Sequence, residues 1–167
     1  MAAGNTYEAI ATQTLGSSVA TVTFSSIPST YTDLVLVINA FASTGADIWI
    51  RCNGDSGSNY SYTALWGDGT SAASGRGSTL SEGLLTDYYG TPSSAQPNIS
   101  IVQFNNYSNS TTFKTAISRA NRANSGTDAV VSMWRNTSAI TSLTLRFGGS
   151  QTFSSGSTFS LYGIKSA

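Results

Sequence analysis

The residues most suggestive of chemistry are Gly54-Asp55-Ser56-Gly57, a tetrapeptide found around the nucleophile of some serine proteases. Such a serine needs an imidazole to take its proton, yet the chain has no histidine and no lysine close in sequence to replace one. The tetrapeptide therefore reads as a turn after a strand. A closed zinc site fails on the same inventory, because a single cysteine, Cys52, and no histidine leave only carboxylates as ligands. Asn53, Asp55 and Asp68 could offer oxygens to calcium, but their spacing lacks the acidic ladder and terminal glutamate of a calcium loop. Glycoside cleavage needs two positioned carboxylates. Glu8, Asp33, Asp47, Asp55, Asp68, Glu82, Asp87 and Asp128 are scattered, and no pair among them is marked by spacing. The expectation is a non-enzymatic protein with no cofactor and no metal.

Binding chemistry has more to work with. Trp49, Trp66 and Trp134 could act as stacking platforms or as anchors of a protein interface. In Asp47-Ile48-Trp49-Ile50-Arg51-Cys52 a period of two puts Ile48, Ile50 and Cys52 on a core face and Trp49 on the opposite one. Trp134 shares a face with Val130 and Ser132, so core burial is its default. Lys114, Arg119 and Arg122 form a local basic cluster that reads as a solvated face. The Asn-X-Ser/Thr sequons at Asn59, Asn98, Asn106, Asn109 and Asn136 are what a chain this rich in hydroxyls produces by chance.

These side chains need a scaffold, and composition says which kind. With 167 residues, 40% of them hydrophobic, the chain is long enough for one domain with a real core. Only 10% of residues are charged and the net charge is zero, so neither nucleic acid nor an anionic membrane surface is an expected partner. Surface polarity comes instead from 29 Ser and 22 Thr residues. With one cysteine no intrachain disulfide forms, so packing must supply the stability. The stretch Met1 to Thr6 lacks a basic segment leading into an apolar run, and no segment approaches the roughly 18 to 20 apolar residues of a membrane helix. No secretory leader is expected.

Short β-branched and aromatic runs separated by Gly, Ser, Asn and Asp clusters are the signature of an all-β domain. Eight such runs stand out: Tyr7 to Leu15, Val19 to Phe24, Asp33 to Phe41, Asp47 to Cys52, Ile99 to Phe104, Ala129 to Trp134, Ile140 to Phe147 and Thr158 to Ile164. Leu34 to Phe41 is apolar on both faces, as suits a strand near the middle of a sandwich or one whose outer face meets a partner. The expectation is one antiparallel, jelly-roll-like β-sandwich over residues 1–167, with an N-terminal arm at 1–6 and a long Gly/Ser-rich loop at 67–98. A short helix over Ser81 to Tyr89 would fit inside that loop. Its apolar side chains Leu80, Leu84, Leu85, Tyr88 and Tyr89 would be a liability in solvent, so they are expected to dock on the domain itself or on a neighbouring subunit, and with Trp49 and Trp66 they form the candidate protein interface.

Exposed sheet edges are usually guarded by lysine, and this chain has only Lys114 and Lys165, so its edges must be short and bulged or covered by neighbours. Three stretches carry a resemblance: Ala11-Thr12-Gln13-Thr14-Leu15-Gly16-Ser17-Ser18 through Phe24-Ser25-Ser26-Ile27-Pro28, then Arg51-Cys52-Asn53-Gly54-Asp55-Ser56-Gly57-Ser58-Asn59-Tyr60, and Gly156-Ser157-Thr158-Phe159-Ser160-Leu161-Tyr162-Gly163-Ile164. Together they resemble a family of tailed-bacteriophage virion proteins. The resemblance implies a jelly-roll-like protein of the virion, made in the host cytoplasm, that decorates or cements the capsid as a homotrimer bridging the major capsid protein. The alternative is a tail-associated adhesin or carbohydrate-binding module, with Trp49, Trp66 and the 67–98 loop as its sugar platform.

Overall fold

The computed structural model describes residues 6–165, so the expected N-terminal arm, Thr6 apart, lies outside the described residues. The strands are β1 (Tyr7–Thr14), β2 (Thr21–Phe24), β3 (Asp33–Ala40), β4 (Ile48–Cys52), β5 (Tyr60–Gly67), β6 (Ala72–Leu80), β7 (Gly83–Leu84), β8 (Asn98–Asn105), β9 (Lys114–Arg122), β10 (Gly126–Trp134), β11 (Leu143–Phe147) and β12 (Thr158–Ile164). They form an eight-stranded sheet ordered β1-β12-β3-β8-β9-β10-β5-β6 and a four-stranded sheet ordered β2-β11-β4-β7.

With β5, β6, β9 and β10 set aside, the other eight strands pair in chain order as first-eighth-third-sixth in one sheet and second-seventh-fourth-fifth in the other. That is the connectivity of a jelly roll. The four remaining strands are two inserted hairpins, β5–β6 between β4 and β7, and β9–β10 between β8 and β11. They pair with one another through β10 and β5, and continue the larger sheet beyond β8.

The core lies between the sheets because period-two alternation sends one row of each strand inward. Leu34, Leu36 and Ile38 of β3, Val102 and Phe104 of β8, and Phe159 and Leu161 of β12 meet Ile48 and Ile50 of β4 and Leu143, Leu145 and Phe147 of β11; all are buried. β3 is central, between β12 and β8, as its two apolar faces suggested. Cys52 is buried in this core, which pushes its thiol pKa up to about 12 and leaves it inert at neutral pH.

The 67–98 segment departs from expectation. It is strand over β6 and β7, and among the described residues no helix forms, the Ser81–Tyr89 stretch included. Tertiary packing overrides weak local propensity here. β6 pairs along β5, with the Trp66 ring against Gly75 and the Tyr62 ring against Gly77, where a Cβ would lie 2.7 Å and 2.6 Å from those rings. After β7 the chain stays extended, and the Leu85 N–H donates to the Ile48 carbonyl at 2.8 Å.

The edges are managed without lysine. β2 and β7 are short, β1 carries an irregularity between Ala9 and Ala11, and the β5–β6 pairing shifts register between Tyr60 and Tyr62. The edges alone therefore do not call for a covering neighbour.

Candidate functional site

The Gly54–Gly57 stretch is a turn built around Asp55. Asn53 and Gly54, with φ of 53° and 68°, reverse the chain after β4. The Asp55 carboxylate then accepts hydrogen bonds from Trp134 Nε1 at 2.7 Å, Asn59 Nδ2 at 2.8 Å and the Gly57 N–H at 2.8 Å. These donors, Trp134 first, hold its pKa below the ordinary carboxylate value. Tyr60 donates its hydroxyl proton toward the Asp55 carbonyl and stacks on Trp134, with ring centroids 6.4 Å apart. Trp134 is buried, as its strand phase implied.

Folding gathers three of the dispersed carboxylates, Asp47, Asp87 and Asp128. Burial, reinforced by the neighbouring charges, raises Asp47 to about 6. Burial likewise carries Asp128 to about 6, although its oxygens accept the backbone N–H groups of Asp87 at 2.8 Å, Tyr89 at 3.3 Å and Gly90 at 2.8 Å. With those oxygens engaged, Asp128 pins the 87–90 turn to β10. Glu82 sits between Arg51, at 2.6 Å, and Arg146 in a largely buried ion-pair network. Among the described residues no group of three or more carboxylate or thiol side chains is arranged to hold a metal ion.

The basic cluster is divided by strand phase. Lys114 faces inward on β9 and is buried, donating to the carbonyls of Thr112 at 2.7 Å and Thr137 at 3.0 Å. Arg119 faces outward, and Arg122 is drawn to the Thr91 carbonyl and Ser125 Oγ.

The expected interface of Trp49, Trp66, Leu80, Leu84, Leu85, Tyr88 and Tyr89 does not form as one surface. Leu84 and Leu85 are buried because β7 and the residue after it pack under β4 and β10. Trp49 and Trp66 are half-buried against Ala64, Leu84 and Val130, and Leu80 is half-buried against the main core. Tyr89 is tied by its hydroxyl to Asp68 at 3.2 Å. Only Tyr88 stands out in solvent, edge-on to Tyr89.

A different surface emerges on the outer face of the extended sheet. Ile99 and Ile101 of β8, Ile117 of β9, Val131 and Met133 of β10, and Leu65 of β5 point outward and are 37% to 59% exposed. Ile117 is paired with Val131, Ile101 lies two residue pairs along on the adjoining strand, opposite Arg119, and Leu65 faces Ala129 beside them. The inward positions of the same strands include Asn98, Ser100, Lys114, Ser118, Asp128 and Ser132, all buried. The inward rows mix these polar groups with Val102, Phe104, Ala116, Val130 and Trp134, and the outward rows set the six apolar side chains among Gln103, Thr115, Arg119, Asn121 and Thr63, so several large apolar residues stand in solvent where a half-solvated strand normally carries polar ones. Arg119 is the one charged side chain among the outward positions of β8, β9, β10 and β5. The signal was present in Ile99-Ser100-Ile101 and Val131-Ser132-Met133, where a period of two normally assigns the apolar residues to the core. In β10 the row of Val130, Ser132 and Trp134 already marks the core face, whereas in β8 the pairing with β3 and β9 fixes the phase.

No protein-family model matches the chain, and no curated protein matches it.

Proposed function

We propose that this protein is a non-enzymatic assembly component that binds neighbouring protein through the outer face of β8, β9, β10 and β5. The observation that carries the reading is the set of six large apolar side chains those strands hold in solvent. A solvated face gains nothing from Ile99, Ile101, Ile117, Val131, Met133 and Leu65, whereas a face covered by a partner gains roughly 25 cal/mol for each Å² of apolar surface removed from water. The two inserted hairpins extend the larger sheet beyond the jelly roll and carry four of these six side chains.

With the resemblance to tailed-phage virion proteins, the reading becomes specific. The protein decorates or cements a capsid, as a homotrimer, with the major capsid protein as the neighbour under the apolar face. Many copies, each adding a modest contact, act together on one shell.

The test is quantitative mass spectrometry of purified particles with the copy number normalised to the major capsid protein, in wild type and in an Ile117→Lys/Val131→Lys variant. Expected are copies in the hundreds for the wild type and loss of the variant from particles, with its thermal midpoint retained. A handful of copies would move the protein to the tail. Absence from particles, or a variant that attaches as well as wild type, would overturn the reading.

A further inference from the structure

Away from that face, a pocket of about 360 Å³ opens beside β4, lined by Ala46, Asp47, Trp49, Gly148, Gly149 and Gln151. Its polar groups are left over from the fold. Gln151 Oε1 is buried without a hydrogen-bond partner, and neither the Trp49 indole N–H nor the Asp47 carboxyl makes a side-chain hydrogen bond among the described residues. Unpartnered buried polar atoms cost stability and call for an explanation.

The two glycines leave space beside these groups that a side chain would fill. A Cβ at Gly148 would lie 2.8 Å from Trp49 Nε1, and one at Gly149 would lie 2.6 Å from Gln151 Oε1. Any other residue in that loop would press on the indole N–H edge or displace the amide. The indole is fixed from its other side by Tyr62, edge-on with centroids 6.1 Å apart, and by the Ala64, Leu84 and Val130 cluster.

We propose that this pocket binds a neutral sugar. The pocket offers a donor in the indole N–H, an acceptor in the Gln151 carbonyl oxygen, a carboxyl that can act as either, and aromatic surface. Adjacent hydroxyls on a pyranose, each both donor and acceptor, serve all three polar groups together, while the ring's C–H surface lies against the indole. An anion would have to compete with Glu82 for Arg146, which is paired with Trp49 across β11 and β4, and for Arg51. An ammonium ion would leave the indole donor unserved. The site stands apart from the apolar sheet face and does not rest on the assembly reading.

The test is titration of the isotope-labelled full chain with the methyl glycosides of glucose, galactose, mannose, rhamnose and N-acetylglucosamine, with methylammonium as a comparison, followed at the tryptophan indole N–H signals. Trp49→Phe assigns the Trp49 signal, and the Trp134 indole, bonded to Asp55, is the internal control. Expected is a saturable shift of the Trp49 signal by at least one sugar, with a Kd on the order of 1 mM, while Trp134 stays in place. Asp47→Asn and Gln151→Met, checked for unchanged thermal midpoints, should each weaken that sugar about 5- to 50-fold. No shift with any of the sugars, a shift with methylammonium alone, or binding unchanged in both variants would overturn the proposal.

Discussion

Asp55→Ala probes whether the serine-protease-like tetrapeptide is a structural turn. The substitution removes an acceptor of three hydrogen bonds, one of them from Trp134, which is only 3% exposed. Leaving that indole N–H unpaired and losing a bond to a charged acceptor costs about 1.5–3 kcal/mol. The bonds from Asn59 and Gly57 lie nearer solvent and add about 0.5 kcal/mol each. The sum is about 3 kcal/mol, which for a domain of this size lowers Tm by about 6–12 °C. Urea denaturation followed by tryptophan fluorescence reads the loss, and the emission of Trp134 should change in the native state. Asp55→Asn, which keeps an acceptor oxygen, should lose about half as much, and Ser56→Ala should fall within about 0.5 kcal/mol of wild type. Because the carboxylate's pKa is held below its unfolded value, the Asp55 contribution is present above the unfolded pKa and disappears as pH falls through the folded one. An Asp55→Ala protein as stable as wild type would refute the clamp. A hydrolytic activity abolished by Ser56→Ala would refute the structural reading of the whole tetrapeptide.

Asp47 and Asp128 give the opposite pH signature. Their folded pKa values, about 6, exceed the ordinary 3.8, so their contribution is greatest in acid and falls as pH rises from about 4 to about 6. Urea midpoints at pH 4.5 and 7 should therefore differ, and Asp47→Asn should flatten the difference; an unchanged slope would show that these groups ionise normally in the fold. Lys114→Met deprives the Thr112 and Thr137 carbonyls of their donor and should destabilise by about 1–3 kcal/mol, whereas Arg119→Ala on the outer face should stay within about 0.5 kcal/mol. Equal effects at the two positions would contradict the division of the basic cluster. Glu82→Ala leaves Arg51 and Arg146 facing each other without a counterion and should cost about 3 kcal/mol by thermal denaturation.

How much of this was legible in sequence depended on whether local pattern and tertiary pairing agreed. Eight of the strands fall where the β-branched and aromatic runs place them, and the sandwich class follows from their spacing. β6 was illegible because Ala-Ala-Ser-Gly-Arg-Gly-Ser-Thr-Leu has no strand propensity of its own, and its order comes from β5 and from aromatic rings laid over its glycines. β9 was hidden because its inward row, with Lys114 and Ser118, does not look like a core row. For the candidate site, Trp49 was placed correctly opposite the core face of β4, but the Gln151 amide and the Gly148-Gly149 loop reach it from a segment almost a hundred residues away in the chain. Leu84 and Leu85 dock on their own domain, one of the two outcomes open in sequence, where a short apolar pair in a polar segment looks the same whether a partner or the domain covers it.

The composition and the exposed apolar side chains of the sheet face together make a prediction about salt. A chain with 10% charged residues and no net charge offers little long-range electrostatic attraction, and its polar surface is supplied mainly by hydroxyls. With Arg119 as the one charge on the proposed docking face, attachment to particles should change less than about threefold between 0.05 M and 0.5 M NaCl, because screening acts on charges and leaves apolar burial almost untouched. Sulfate, which strengthens apolar burial, should tighten attachment over the same range. Sedimentation of particles with bound protein measures both. A tenfold loss in NaCl would show that attachment runs through the few exposed charges, Arg76 and Arg119 among them, and would remove the apolar face from the explanation.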